Sequence, residues 1–82
     1  MFLARIIVKL KPSILDPQGK AVHHALQNLG MNQVEDVRMG KEIEMWIDTT
    51  SQHDAERIAR EASDKLLANP VMEDFSFTIE KL

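Results

Sequence analysis

The first ten residues alternate between apolar and mixed positions with a period of two, which predicts a β-strand over residues 2–10. Its apolar face consists of Phe2, Ala4, Ile6, Val8 and Leu10. The opposite face is mixed rather than uniformly polar and consists of Leu3, Arg5, Ile7 and Lys9. Pro12 ends the strand, because proline has no N–H to donate to a neighbouring strand.

A helical period follows the strand. Asp16 and Pro17 predict its start, because aspartate accepts hydrogen bonds from the free amides of a first turn and proline fits a position that needs no donor. The apolar stripe of this helix consists of Ala21, Val22, Ala25, Leu26 and Leu29. Gly30 suits the left-handed residue that commonly ends a helix.

Residues 33–39 and 42–48 predict a β-hairpin around Gly40 and Lys41. In its second arm, one face is apolar (Ile43, Met45, Ile47) and the other is polar except for one tryptophan (Glu42, Glu44, Trp46, Asp48). Val34 is out of phase in the first arm, and either a bulge or a later strand start would explain it.

A second helix is predicted over about residues 52–68. Ser51 and Asp54 resemble a capping box, and Pro70 stops the helix by restricting Asn69. The expected buried stripe consists of Ala55, Ile58, Ala59, Ala62 and Leu66. The last strand, residues 71–80, alternates Phe75, Phe77 and Ile79 with polar residues.

The element order β-α-β-β-α-β predicts an α+β fold, a two-layer sandwich of the ferredoxin-like type. Two helices would cover one face of a four-stranded antiparallel sheet. A chain of 82 residues has room for one domain, residues 1–82, with a thin core. Because the sequence contains no cysteine, disulfides cannot reinforce that core, and oligomerisation is the expected source of additional stability.

Charge and hydropathy exclude several classes of function. Ten basic and thirteen acidic residues give a net charge of −3, whereas a nucleic-acid binder would show a basic face. No apolar run approaches the roughly 20 residues that span a bilayer. Since the N-terminus continues directly into a strand and lacks a signal-peptide layout, a cytoplasmic location is expected.

The sequence offers no convincing catalytic, cofactor or metal site. His23 and His24 would point about 100° apart on a helix, and His53 is expected at the surface. The acidic residues Glu35, Asp36, Glu42 and Glu44 fit a solvent-facing strand edge better than a cation site. Gly19 and Gly40 lack phosphate-loop spacing.

Trp46 departs from this pattern. It falls on the side of its strand that should face away from the helices, near Leu3 and Ile7. An apolar patch on an open sheet face usually marks a binding surface, and tryptophan is enriched among interface hot spots. The sequence therefore favours a partner-binding domain over an enzyme.

Three segments resemble the PurS family of small subunits of phosphoribosylformylglycinamidine synthase. The first runs from Leu15 to Gly19 and continues into the helix that contains Ala21, Val22, Ala25 and Leu26. The second is VEDVRMGK, residues 34–41, with Arg38, Gly40 and Lys41 as its most distinctive members. The third joins residues 65–71, KLLANPV, to Glu73, Asp74 and Phe75. Together they span almost the whole chain.

The resemblance implies a non-catalytic assembly subunit. Such chains dimerise or form tetramers and bridge a glutaminase subunit and a large ATP-dependent synthetase subunit, which convert formylglycinamide ribonucleotide to formylglycinamidine ribonucleotide in purine biosynthesis. The complex would use ATP, Mg and glutamine, with no cofactor bound by this chain. The fold and interface positions carried over are Asp16, Pro17, Gln18, Gly19, Arg38, Gly40 and Lys41.

Two other hypotheses remain open at this stage. A small-molecule-sensing regulatory module of the ACT type shares the β-α-β-β-α-β order, but Gly19 lies inside the first helical turn rather than in the loop before it. A small stand-alone enzyme would need a catalytic constellation that the sequence does not show.

Overall fold

The central strand of the sheet is β1 (Phe2–Leu10), and the computed structural model describes the whole chain, residues 1–82. Strand β1 pairs antiparallel with β2 (Gly40–Ile47) on one side and with β3 (Glu73–Lys81) on the other, in the order β2-β1-β3. Two helices, α1 (Pro17–Asn28) and α2 (Gln52–Ala62), complete the element order. The predicted α+β class and the antiparallel sheet are confirmed.

The core lies on one face of the sheet, where the alternation of β1 places its apolar side chains. Phe2, Ala4, Ile6 and Val8 are all almost fully buried. Half-buried side chains from β2 and β3 pack against them, namely Ile43, Met45, Phe75, Phe77 and Ile79. The central strand is therefore buried by its two neighbours and by the helix that covers this face.

Helix α2 covers the sheet by packing against β1 and β3. The Ser51 side chain caps it by accepting from the Asp54 amide at 3.2 Å, as predicted. The reciprocal bond of a capping box is replaced, since the Asp54 carboxylate accepts from Arg57. Ala55 and Ala59 are fully buried, so the backbone of the helix can approach the sheet closely.

The predicted burial of Leu66 is wrong, because α2 changes its winding after Ala62. Residues Ser63–Leu67 form one π-helical turn, closed by a 2.9 Å bond from the Ala68 amide to the Ser63 carbonyl. In a π-helical turn the N–H group bonds to the carbonyl five residues earlier, whereas in an α-helix it bonds to the carbonyl four residues earlier. Leu66 is consequently 80% exposed, whereas Leu67 packs against the core.

The predicted fourth strand is absent, so the sheet has three strands rather than four. Residues 33–39 form neither a strand nor the first arm of a hairpin. A two-residue hairpin turn at Gly40 and Lys41 would need a positive φ, yet Gly30 is the only residue with one, at 86°. Gly40 instead begins β2, which leaves the outer edge of β2 unpaired.

Helix α1 also departs from the prediction that both helices cover the sheet. Its only buried residue is Gly19, and it makes no contact with the sheet comparable to that of α2. The radius of gyration is 16.2 Å, with extents of 50 × 28 × 13 Å. A compact chain of this length would have a radius of about 12 Å, so the single chain is elongated and α1 lacks a covering layer.

Candidate partner-binding surfaces

The junction between β1 and α1 is organised by one carboxylate. Asp16 is 4% exposed, and its Oδ1 accepts from the Gly19 amide at 3.0 Å, as predicted for a helix cap. Its Oδ2 accepts from the Met39 amide at 2.7 Å. The backbone N–H groups of Gly19 and Met39 lower the pKa of Asp16, because both stabilise the ionised carboxylate.

Arg38 ties the same junction together from the other side. One guanidinium nitrogen donates to the Lys11 carbonyl at 2.9 Å and to the Ile14 carbonyl at 2.8 Å. Both acceptors belong to the loop between β1 and α1. Arg38 therefore holds that loop against the segment 34–39, and a change of its charge tests the fold of the junction as well as any interface.

Gly19 permits α1 to lie directly against the segment 34–39. A Cβ atom placed on Gly19 would overlap the Val37 carbonyl oxygen and lie 2.9 Å from Asp16 Oδ2. One helical turn further on, His23 Nε2 lies 2.7 Å from the Val34 carbonyl oxygen, which makes this nitrogen the donor. Residues 17–39, which contain helix α1, the turn after it and the segment 34–39, thus form one unit, called the α1 arm below.

The α1 arm exposes most of its apolar side chains. Val22 is 38% exposed and Leu29 is 72% exposed. Met31, in the turn after α1, and Met39, the last residue before β2, are 48% and 41% exposed. The helical stripe that the sequence predicts as buried is present in the helix, but the chain itself provides no surface that covers it.

The second candidate surface is the sheet face opposite α2. Trp46 is 60% exposed there and pairs directly with Leu3 on β1, as the sequence suggests. Leu3 is only 5% exposed, although no helix covers this face. Ile7, 37% exposed, lies on the same face further along β1.

Carboxylates surround this apolar patch. Arg5, at the centre of the face, lies 3.6 Å from Glu44 and also pairs with Glu80. Glu80 and Glu44 together raise the pKa of Arg5 above its ordinary value, chiefly through the hydrogen bond to Glu80. Glu42 follows on the same side of β2 and makes no ion pair. The Trp46 face, as we call it, consists of Leu3, Arg5, Ile7, Lys9, Glu42, Glu44, Trp46, Asp74, Ser76, Thr78 and Glu80.

The remaining predicted positions lie at the surface. Pro17 and Gln18 occupy the exposed first turn of α1, and Lys41 is exposed in β2. Gly40 faces Lys9, whose Cγ would lie 2.7 Å from an added Cβ. No three His, Cys, Asp or Glu side chains lie close enough to hold a metal ion. No helix has the length and apolar character of a membrane span.

Comparison with known proteins decides the family. The family model named PurS and described as phosphoribosylformylglycinamidine (FGAM) synthase matches residues 3–81. This chain belongs to the PurS family. A PurS subunit of this synthase from Bacillus subtilis is 44% identical over 82 residues, which cover 100% of this chain and 96% of the relative.

Solved PurS structures share the fold. The crystal structure of Methanocaldococcus jannaschii PurS, at 35% identity, covers 100% of this chain and 99% of that one with a TM-score of 0.89. A chain in the structure of PurLQS from Thermotoga maritima has 25% identity and a TM-score of 0.85, and covers 96% of this chain and 98% of that one. These findings support the PurS family and not the ACT-type alternative.

Sequence reasoning missed what Arg38 and Met39 do. The resemblance marks Arg38, but the pattern of residues 34–39 predicts a strand paired to β2. In the structure these residues bind the β1–α1 loop through Asp16 and Arg38. An acidic helix cap followed about twenty residues later by an arginine is too common a combination to have indicated this contact.

Proposed function

We propose that the chain is the non-catalytic assembly subunit of phosphoribosylformylglycinamidine synthase. It would bridge a glutaminase subunit and an ATP-dependent synthetase subunit, so that ammonia released from glutamine reaches formylglycinamide ribonucleotide. The family match over residues 3–81 carries this proposal. The neighbour from the Thermotoga maritima PurLQS structure supports it, because that chain comes from an assembly of several Pur proteins.

The physical properties of the chain suit a positional role. The pKa values of Arg5 and Arg57 are raised, and those of Asp16 and Asp54 are lowered. Each departure is explained by hydrogen bonds and ion pairs that hold local structure. In this proposal ATP, Mg and glutamine bind to the partner subunits, and the chain acts with them in the cytoplasm.

Self-association forms part of the same proposal. Val22, Leu29 and Met31 are exposed on a preformed arm, and each full burial of such a side chain is worth about 1.5–3 kcal/mol. The half-buried Ile43 and Met45 lie on the β2 side of the core face, whereas α2 packs against β1 and β3. A second copy that lays its α1 arm over β2, reciprocally, would cover both surfaces.

Reconstitution tests the assembly role. The purified chain is mixed with glutaminase and synthetase subunits from the same organism, and FGAM formation is measured with glutamine or with free ammonia. We expect the chain to restore glutamine-dependent synthesis and to have no activity alone. Ammonia bypasses the glutaminase, so ammonia-dependent synthesis should depend on the chain much less strongly.

Subunit concentration provides the decisive control. A variant that weakens assembly should regain glutamine-dependent activity as its concentration rises, because mass action offsets weaker binding. A folded variant that binds both partners normally and remains inactive at saturation would refute the positional role. It would show that one of its side chains takes part in the chemistry.

A further inference from the structure

The Trp46 face is a second apolar surface that the chain leaves uncovered, and it differs in charge from the α1 arm. Helix α2 lies on the opposite side of the sheet, so nothing in the chain shields Trp46, which is 60% exposed. The charged side chains on this face are four carboxylates, Glu42, Glu44, Asp74 and Glu80, and two cations, Arg5 and Lys9. The face therefore combines exposed apolar side chains with an excess of negative charge.

The position of β2 at the edge of the sheet explains why it exposes Glu42 and Glu44, but it does not explain why it also exposes Trp46. Charged residues commonly protect a free edge such as that of β2. A large aromatic side chain in the same row works against that protection, since it adds apolar area beside unpaired backbone groups. An exposed tryptophan with a nearly buried leucine beneath it has the composition of an interface hot spot, an aromatic anchor within a polar rim.

The charge of the Trp46 face indicates whether it binds a second copy of this chain or a different protein. A symmetric contact of this face with itself would bring the carboxylates of two copies together, which is unfavourable. The one cation at the centre, Arg5, is already shared by Glu44 and Glu80. The α1 arm, by contrast, exposes several large apolar side chains and suits a second copy. The Trp46 face thus fits a partner surface with lysine or arginine around an apolar pocket.

We infer that the Trp46 face docks a basic surface of one partner subunit of the synthase, with Trp46 inserted in an apolar pocket and Glu42 at the charged rim. This inference rests on the proposed function and adds which surface makes the bridge. Self-association, in which the arm of a second copy covers the core face of β2, and docking through the Trp46 face would then be independent, because these are opposite faces of the sheet.

The experiment measures binding of the wild-type chain, Trp46→Ala, Glu42→Arg and Glu56→Arg to each purified partner subunit at low and high salt. Trp46→Ala should raise the Kd for one partner at least about 30-fold. Glu42→Arg should raise it about 10-fold at low salt and less at high salt, since screening weakens charge contacts. Glu56→Arg, the same charge change at an exposed position of α2 on the other side of the sheet, should leave it unchanged.

A direct signal comes from the side chain itself, because Trp46 is the only tryptophan in the chain. Fluorotryptophan incorporated into it should shift its ¹⁹F resonance when the partner binds, which serves even if Trp46→Ala fails to fold. If the wild-type chain binds and restores synthesis, but the ¹⁹F resonance does not shift and the variants have wild-type Kd values, the inference is overturned and the proposed function is not affected. Dissociation of the self-assembled chain by Trp46→Ala would overturn it too, by assigning the face to a second copy. A wild-type chain that neither binds nor restores synthesis would instead refute the proposed function.

Discussion

Replacing Gly19 by alanine tests the close contact within the α1 arm, because the contact determines whether the substitution raises or lowers the stability of the fold. In an exposed helix interior, Gly→Ala stabilises by about 1 kcal/mol, because alanine loses less backbone entropy. At Gly19 the added Cβ would overlap the Val37 carbonyl oxygen. That oxygen belongs to the backbone and cannot rotate away as the end of a side chain could. Helix α1 and the segment 34–39 must therefore separate.

The magnitude follows from two opposing terms. Overpacking typically costs about 1–3 kcal/mol, and a rigid backbone contact belongs near the upper end of that range. After the helix-propensity gain of about 1 kcal/mol, the net loss should be about 2 kcal/mol. For a chain of this size this corresponds to a Tm lower by roughly 8–16 °C.

Thermal unfolding followed by circular dichroism provides the assay, at one protein concentration because self-association affects the Tm. Lys20→Ala, at the neighbouring exposed position of α1, is the matched control and should change the Tm little. Hydrogen exchange of the Met39 amide should accelerate in Gly19→Ala, since separation would break its bond to Asp16. A Tm equal to or above that of the wild type would show that the close contact of α1 with Val37 is wrong.

Two further predictions concern the arm and its cap. Leu29→Asp should shift the self-assembled chain toward monomer in sedimentation equilibrium. Gln27→Asp, which adds the same charge at an exposed polar position, should not. Equal effects of the two substitutions would exclude the apolar side of α1 as the interface. Asp16→Asn should lower the Tm at pH 7 by about 5–15 °C. The side-chain NH2 group of asparagine cannot accept a hydrogen bond, so either the Gly19 N–H or the Met39 N–H would lose its acceptor. Since the folded pKa of Asp16 is depressed, its contribution is present above the unfolded value near 4 and is lost as the pH falls through the folded pKa. The Tm difference between wild type and Asp16→Asn should accordingly shrink in acid, and a difference independent of pH would refute the role of the ionised carboxylate.

Local signals in the sequence were sufficient for the elements that are stabilised locally. Asp16, Ser51 and Gly30 predict helix ends that depend on neighbouring backbone groups, and all three are found where expected. The alternation of β1 likewise identifies the core face, because every strand residue must point to one side or the other.

The misplaced elements depend on contacts between distant residues. An extended segment such as 34–39 can satisfy its backbone by pairing with β2 or by binding other groups, and its side chains allow both. Asp16 and Arg38 decide in favour of the β1–α1 loop. Leu66 was misassigned for a related reason: the π-helical turn at Ser63 alters the phase of the last residues of α2, and only packing against the sheet shows where that occurs.

Helix α1 shows a more general limit of periodic patterns. Ala21, Val22, Ala25, Leu26 and Leu29 form the stripe expected of a buried helix face. Such a stripe indicates that a face is covered, but it contains no information on whether the cover belongs to the same chain. In this chain, which contains no cysteine, that face stays open on an arm that Asp16, Arg38 and His23 hold in place. The apolar surface missing from the core of the single chain is thus available to the assembly, which explains how a domain with so thin a core can serve as an assembly subunit.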